Sequence, residues 1–138
     1  MTQQPKAPGP PVRRMPATVR SPRARSASIL TFDLGKEADR LRTESPWSEH
    51  GSNGVTLVKY SDLRIVLIVM KPATRVQEHH AGARISVHAL NGHVRLHLGE
   101  ETIDLHGGHL LALEKDVPHD LEAVEESTVL LTIAWQGE

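Results

Sequence analysis

The chain contains no cysteine. A disulfide framework, a thiolate metal site and a cysteine nucleophile are therefore excluded. The absence fits a reducing compartment, and a cytoplasmic location is expected. Long apolar runs are missing as well. The longest is Ile65–Met70, too short to cross a bilayer, so no membrane role is expected. The N-terminus carries no apolar segment of signal-peptide length, which argues against that export route. Aromatics are scarce: only Phe32, Trp47, Tyr60 and Trp135 occur. They are too few and too scattered to form a stacking platform for nucleic acid. There is no phosphate-cradling glycine loop and no G-x-S-x-G nucleophile elbow.

Acidic residues are missing from the first 27 positions, which carry Lys6, Arg13, Arg14, Arg20, Arg23 and Arg25. With sixteen basic and seventeen acidic residues in all, the remainder keeps ten basic against seventeen acidic, a charge of about −7. Residues 1–27 are also rich in Pro, Ser and Gln without apolar periodicity, so a disordered basic tail is expected. Such a tail is either a solvated extension, with Met15 an alternative start, or an electrostatic arm for anionic surfaces or nucleic acid. The acidic body itself offers nucleic acid nothing.

Residues 28–53 predict a short helix and a linker. Asp33 can cap a helix over 34–42, where Leu34, Ala38 and Leu41 make one apolar stripe. Ser45-Pro46 ends it, and Ser52-Asn53-Gly54 reads as a loop. Residues 54–138 then read as strands: 55–60, 63–71, 75–80, 84–90, 93–98, 102–105, 109–113, 119–123 and 128–135. Turn residues separate most of them. Many short strands without intervening helices predict an all-β antiparallel sandwich or barrel. Ile65–Met70 and Val129–Trp135 are the most apolar and should form the sheet centre.

Asn91-Gly92 reads as a two-residue hairpin turn, pairing Leu90 with His93 and Val87 with Leu96. Period-2 geometry then divides the pair into an apolar face, Ile85, Val87, Ala89, Val94, Leu96 and Leu98, and a polar face, Arg84, Ser86, His88, His93, Arg95 and His97. The arginines among these histidines would repel a cation, so a solvated polar face is expected. Asp116, Asp120, Glu122, Glu125 and Glu126 read as a solvated connection rather than an acid–base pair.

Over roughly residues 54–135 the pattern resembles the cupin family, small jelly-roll barrels with two motifs. The first is H-x-H, three or four residues, E, six residues, G. With Gly92 as the closing glycine, the glutamate position falls on Ile85. The H-x-H positions fall on Glu78 and His80, or on His79 and Ala81. In the second motif Gly108 keeps the glycine, His106 stands where proline is usual, and Val117-Pro118-His119 offers the histidine. Strand parity groups Val76, Glu78 and His80 inward and leaves His79 outside. The resemblance implies a cupin jelly-roll, a small-molecule ligand in a pocket including Ile85 and Val87, and a homodimer. Glu78, His80 and His119 make a two-histidine, one-carboxylate set suited to a divalent transition metal (Fe, Mn, Ni or Zn). Ile85 at the glutamate position equally suits a metal-free member, with His80 and His119 as hydrogen-bonding groups. Three roles stay open: a binding barrel, a metal-dependent dioxygenase or isomerase, and an interaction or pH-sensing module.

Overall fold

The alternating segments become strands close to the expected bounds, except that the strand expected over 75–80 is strand only at Arg75–Val76: Gln77 is irregular, and residues 78–80 lie outside the described residues. The structure is a computed structural model that describes residues 25–77 and 82–136 together with the backbone of Val19–Arg20. The strands are β1 (Val19–Arg20), β2 (Ser52–Lys59), β3 (Leu63–Met70), β4 (Arg75–Val76), β5 (Ala83–Asn91), β6 (His93–Leu98), β7 (Glu101–His106), β8 (Leu110–Leu113), β9 (Asp120–Ala123) and β10 (Ser127–Trp135). They form a six-stranded sheet, β1-β2-β3-β10-β5-β8, and a four-stranded sheet, β4-β9-β6-β7. Except for the parallel β1–β2 contact, every pairing is antiparallel. The two apolar segments, β3 and β10, pair at the middle of the larger sheet. Among the described residues no helix is long and apolar enough to cross a membrane.

The hairpin expectation is overturned. Each strand has two hydrogen-bonding edges. Those of β5 are taken by β10 and β8, and those of β6 by β7 and β9. Asn91-Gly92 is therefore a corner between sheets, not a turn within one. The facial division survives, because alternation sets the face a side chain occupies and not the neighbour it pairs with. Ile85, Val87 and Ala89 enter the core from one sheet, and Val94 and Leu96 enter from the other. The polar faces consequently lie on opposite outer surfaces: His88 behind the large sheet, His93 and His97 behind the small one.

The inner faces share one apolar cluster. A second cluster covers the outside of the large sheet, where Val55, Leu57, Leu67 and Val69 meet Ala38 and Leu41 of helix α1 (Leu34–Leu41). Asp33 caps α1 by accepting from Lys36 N–H at 3.1 Å. Leu57 and Val58 both point into this cluster because the β2–β3 register shifts between Thr56 and Val58.

Two local expectations are corrected. Ser45-Pro46 does not simply stop α1; it opens a second helix, α2 (Ser45–His50), since proline suits a first helical turn that needs no N–H. Ser52-Asn53-Gly54 is the start of β2 rather than a loop. Buried Asn53 donates to the Leu41 carbonyl at the end of α1, which also accepts from Glu44 N–H, and to Glu44 Oε1, both Asn53 bonds at 2.9 Å. One residue of the polar triplet thus serves the helix end it meets. Most of the expected tail lies outside the described residues. Within them, Val19–Arg20 pairs with Gly54–Val55, and Arg25 accepts from Lys59 N–H at 2.8 Å.

Candidate functional site at the open end of the barrel

One end of the sandwich is closed. There the chain passes between sheets at Asn91-Gly92, and Met70, Ala89, Val94, Ala123 and Ser127 are wholly buried. Ser127 Oγ accepts from His93 N–H at 3.0 Å and donates to the Glu125 carbonyl at 2.8 Å. Gly107 and Gly108 N–H donate to the Gly92 and Ala89 carbonyls.

The other end is more open. At this level of the inner faces Ile85 and Leu113 are 5 % and 9 % exposed, and Val66 one step inward 7 %, while Ile133 and Ala83 beside them stay buried. Beyond them Val76, Leu98, Val117 and Trp135 are only partly buried against the core. At this end the chain leaves β8 in the large sheet and crosses to β9 in the small one through residues 114–119. Asp116, at φ 63, anchors the crossing: its Oδ1 accepts from Gly82 N–H at 2.9 Å. Aspartate is among the few residues that adopt this left-handed backbone readily.

His119 ends the crossing and keeps the inner-face parity of Leu121 and Ala123. Its Nδ1 lies 3.1 Å from the Val117 carbonyl, so Nδ1 carries the proton and Nε2 presents its lone pair. That Nε2 is buried and has no hydrogen-bond partner among the described residues. A buried polar atom left unpaired costs about 1–3 kcal/mol, so it marks a place where something else supplies the partner.

The other expected ligands divide in two ways. Glu78, His80 and the surface candidate His79 lie outside the described residues. Ile85 and Val87 are buried inner-face residues of β5. Ile85 occupies the family's glutamate position with an alkyl chain that cannot ligate. Among the described residues no group of three His, Asp or Glu side chains is placed to hold a metal ion. His119 does fit one metal ligand, because the carbonyl behind Nδ1 orients the ring as outer partners of metal-bound histidines do.

The outer face of the small sheet is a polar lattice of a different kind. His93 Nε2 lies 2.8 Å from Asp104, which also accepts from Arg95 Nε at 2.9 Å. His97 Nε2 lies 2.7 Å from Glu122, and Arg75 Nε donates to Asp120 at 2.8 Å. The His106 ring stacks on His93 at 4.1 Å. The acidic residues read from sequence as one connection are thus distributed over separate partners, Asp116 on Gly82, Asp120 on Arg75, Glu122 on His97 and Glu126 on Arg42.

These bonds have a titration consequence. The His97 hydrogen bond holds the Glu122 carboxyl below its ordinary range, and the bonds from His93 and then Arg95 do the same for Asp104. A depressed carboxylate stabilises the fold fully above its unfolded value, about 4, and loses that contribution as pH falls through the depressed value. The loss is therefore confined to acid. In a carbon-detected NMR titration, His97→Gln is expected to raise the Glu122 midpoint and leave Asp104 in place. An unmoved Glu122 midpoint would show that the pair is absent in solution.

Solved structures share this fold. A conserved protein of unknown function from Streptococcus pyogenes matches with TM-score 0.65 at 21% identity, over 84% of this chain and 98% of its own. A transcriptional regulator of the HTH_3 family from Vibrio cholerae matches with TM-score 0.60 at 22% identity, over 75% of this chain and 62% of its own. A cupin superfamily protein from Desulfitobacterium hafniense matches with TM-score 0.57 at 16% identity, over 62% and 78%. No curated protein matches the chain. The fold is the cupin jelly-roll that the motifs suggested. The model of the AraC-like ligand binding domain matches residues 65–136, more than half of the sequence and every strand from β4 to β10. The chain therefore belongs to the AraC-like ligand binding domain family.

Proposed function

We propose that the barrel binds a small molecule through its open end and that His119 Nε2 is the polar group that meets it. The observation that carries this reading is a buried nitrogen, without a partner among the described residues, beside the apolar inner cluster at the open end. Apolar walls with a few convergent polar groups are the usual composition of small-molecule sites. With Nδ1 committed to the Val117 carbonyl, Nε2 accepts a hydrogen bond from a ligand hydroxyl or amine.

A second reading is favoured by the same bond, since an oriented neutral imidazole is also a metal ligand. Glu78 and His80 would complete a two-histidine, one-carboxylate set. They follow Val76, and β4, which ends there, pairs with the β9 strand that His119 precedes. A divalent metal so held would supply Lewis acidity and open positions for an enzyme of dioxygenase or isomerase type.

Native mass spectrometry of protein purified without an affinity tag separates the two. The expected result is a bound organic mass in the wild type that His119→Ala loses. One metal ion per chain, lost in the same variant, would replace the first reading with the second. An empty barrel whose His119 ring nitrogens shift with none of a panel of small polar molecules in NMR would sink the first. Pairing of two copies is supported by Leu110, 65 % exposed on the edge strand β8, and sedimentation checks it.

A further inference from the structure

Arg64 is an unexpected residue for its position. It shares the parity of Val66, Ile68 and Met70, which face the core, and lies one step nearer the open end. Across the sheet it pairs with Ile133. Its guanidinium stands 5.2 Å from the centroid of the Trp135 ring, and Trp135 packs on the same inner cluster. Its Nε is buried and has no hydrogen-bond partner among the described residues. A guanidinium stays charged throughout the accessible pH range and offers only donors. Removing one of those donors from water without an acceptor is costly.

A second cation approaches. The Arg25 carbonyl accepts from Lys59 N–H, and Lys59 is the β2 partner of Arg64. Burial first, and the charge of Arg64 second, lower the pKa of Arg25. Two guanidinium groups that repel each other beside a barrel mouth concentrate positive potential there.

We propose that Arg64, set on Trp135 and joined by Arg25, is an anion-binding subsite, and that the barrel's ligand is a small organic carboxylate with an apolar body. The proposal rests on the small-molecule reading above and narrows it to a chemical class. The planar guanidinium presents parallel N–H groups that match a carboxylate in two bonds. Its placement over an indole face orders it in advance, so little side-chain freedom is lost on binding. The residues beside it on the inner face, Ile133, Ile85 and Leu113, and Val66 one step below are alkyl. They suit a hydrocarbon or aryl body and would leave the hydroxyls of a sugar or the charges of a polyphosphate unpaired.

The test uses the full chain and four probes: benzoate, hexanoate and their neutral amides, benzamide and hexanamide. Binding is followed by the Trp135 indole N–H signal in NMR. Trp47, packed in the outer cluster under Lys71, is the internal reference. The carboxylates are expected to shift Trp135 and not Trp47, about tenfold more tightly than the amides. Arg64→Gln should reduce carboxylate affinity to the amide level, and Arg64→Lys should retain part of it. A well-dispersed spectrum of each variant shows that it is folded. Equal affinities for acids and amides, or unchanged carboxylate binding in folded Arg64→Gln, would overturn the subsite and leave the barrel reading standing. Inorganic phosphate binding as tightly as benzoate would overturn the carboxylate assignment. If no probe moves Trp135 while small polar molecules still move His119, the proposal falls alone. If neither residue responds, both readings fall.

Discussion

Gly92→Ala should cost about 3 kcal/mol of folding free energy, a large share of the roughly 5–15 kcal/mol that a domain of this size has. Gly92 has φ +91, a conformation that disfavours any side chain. A Cβ built there would lie 2.3 Å from Ser127 Oγ, 2.4 Å from the Glu126 carbonyl and 2.7 Å from Ser127 Cα. Two of these atoms are backbone, so relief requires moving the start of β10. Left-handed strain contributes about 1 kcal/mol and overpacking another 1–3. The displacement would also break the Ser127 bond to His93 N–H, which closes this end of the barrel. Gly99→Ala is the matched control. Gly99 has φ +68 but nothing within 4 Å of its added Cβ, so it should lose only about 1 kcal/mol. Urea midpoints with unchanged slopes measure both. Equal midpoints for the two variants would mean that the corner between sheets is not packed as described.

Leu96→Ala should be about as costly, near 3 kcal/mol. Leu96 is completely buried on β6, between Leu121 of β9 and Ile103 of β7, and faces the large sheet across the core. Truncation removes apolar contacts and leaves a cavity that a two-sheet sandwich closes poorly, which places leucine-to-alanine changes at about 2–5 kcal/mol. Leu98→Ala, two residues along the same face, tests the gradient in burial. Leu98 is only partly buried at the open end, where solvent already reaches the wall, so about 1 kcal/mol is expected. If Leu98→Ala proved as damaging as Leu96→Ala, the barrel would be sealed at both ends and the proposed entry route would be lost.

Much of the fold was legible in the residues alone. Most strand bounds followed alternation and turn chemistry, and the central place of β3 and β10 in the large sheet followed their high apolarity. The inward face of β5 and β6 was correct residue by residue. What failed was adjacency. Asn91-Gly92 carries a strong local signal for a hairpin, and yet β5 and β6 belong to different sheets. Ser45-Pro46 was legible as a break and not as a helix start, because proline serves both. Asn53 looked like a loop residue, since nothing local announces that a helix carbonyl waits twelve residues upstream.

The candidate site shows the same division. Parity and its place in the motif singled out His119, and the structure adds a buried Nε2 with no partner among the described residues. Arg64 was not found, because an arginine before an apolar run reads as the strand's solvated end. Only its placement over Trp135, 71 residues away in sequence, gives it an inward role.

Alternation, turn residues and the absence of cysteine were enough to determine an all-β barrel, its core-facing side chains and the chemistry it excludes. These are properties of one segment at a time, set by the two-residue period of an extended chain. Tertiary structure alone decided which strands are neighbours, which end of the barrel is open and which buried nitrogens lack partners. Those depend on how edges, corners and distant side chains compete for the same hydrogen bonds, and no single segment contains that competition.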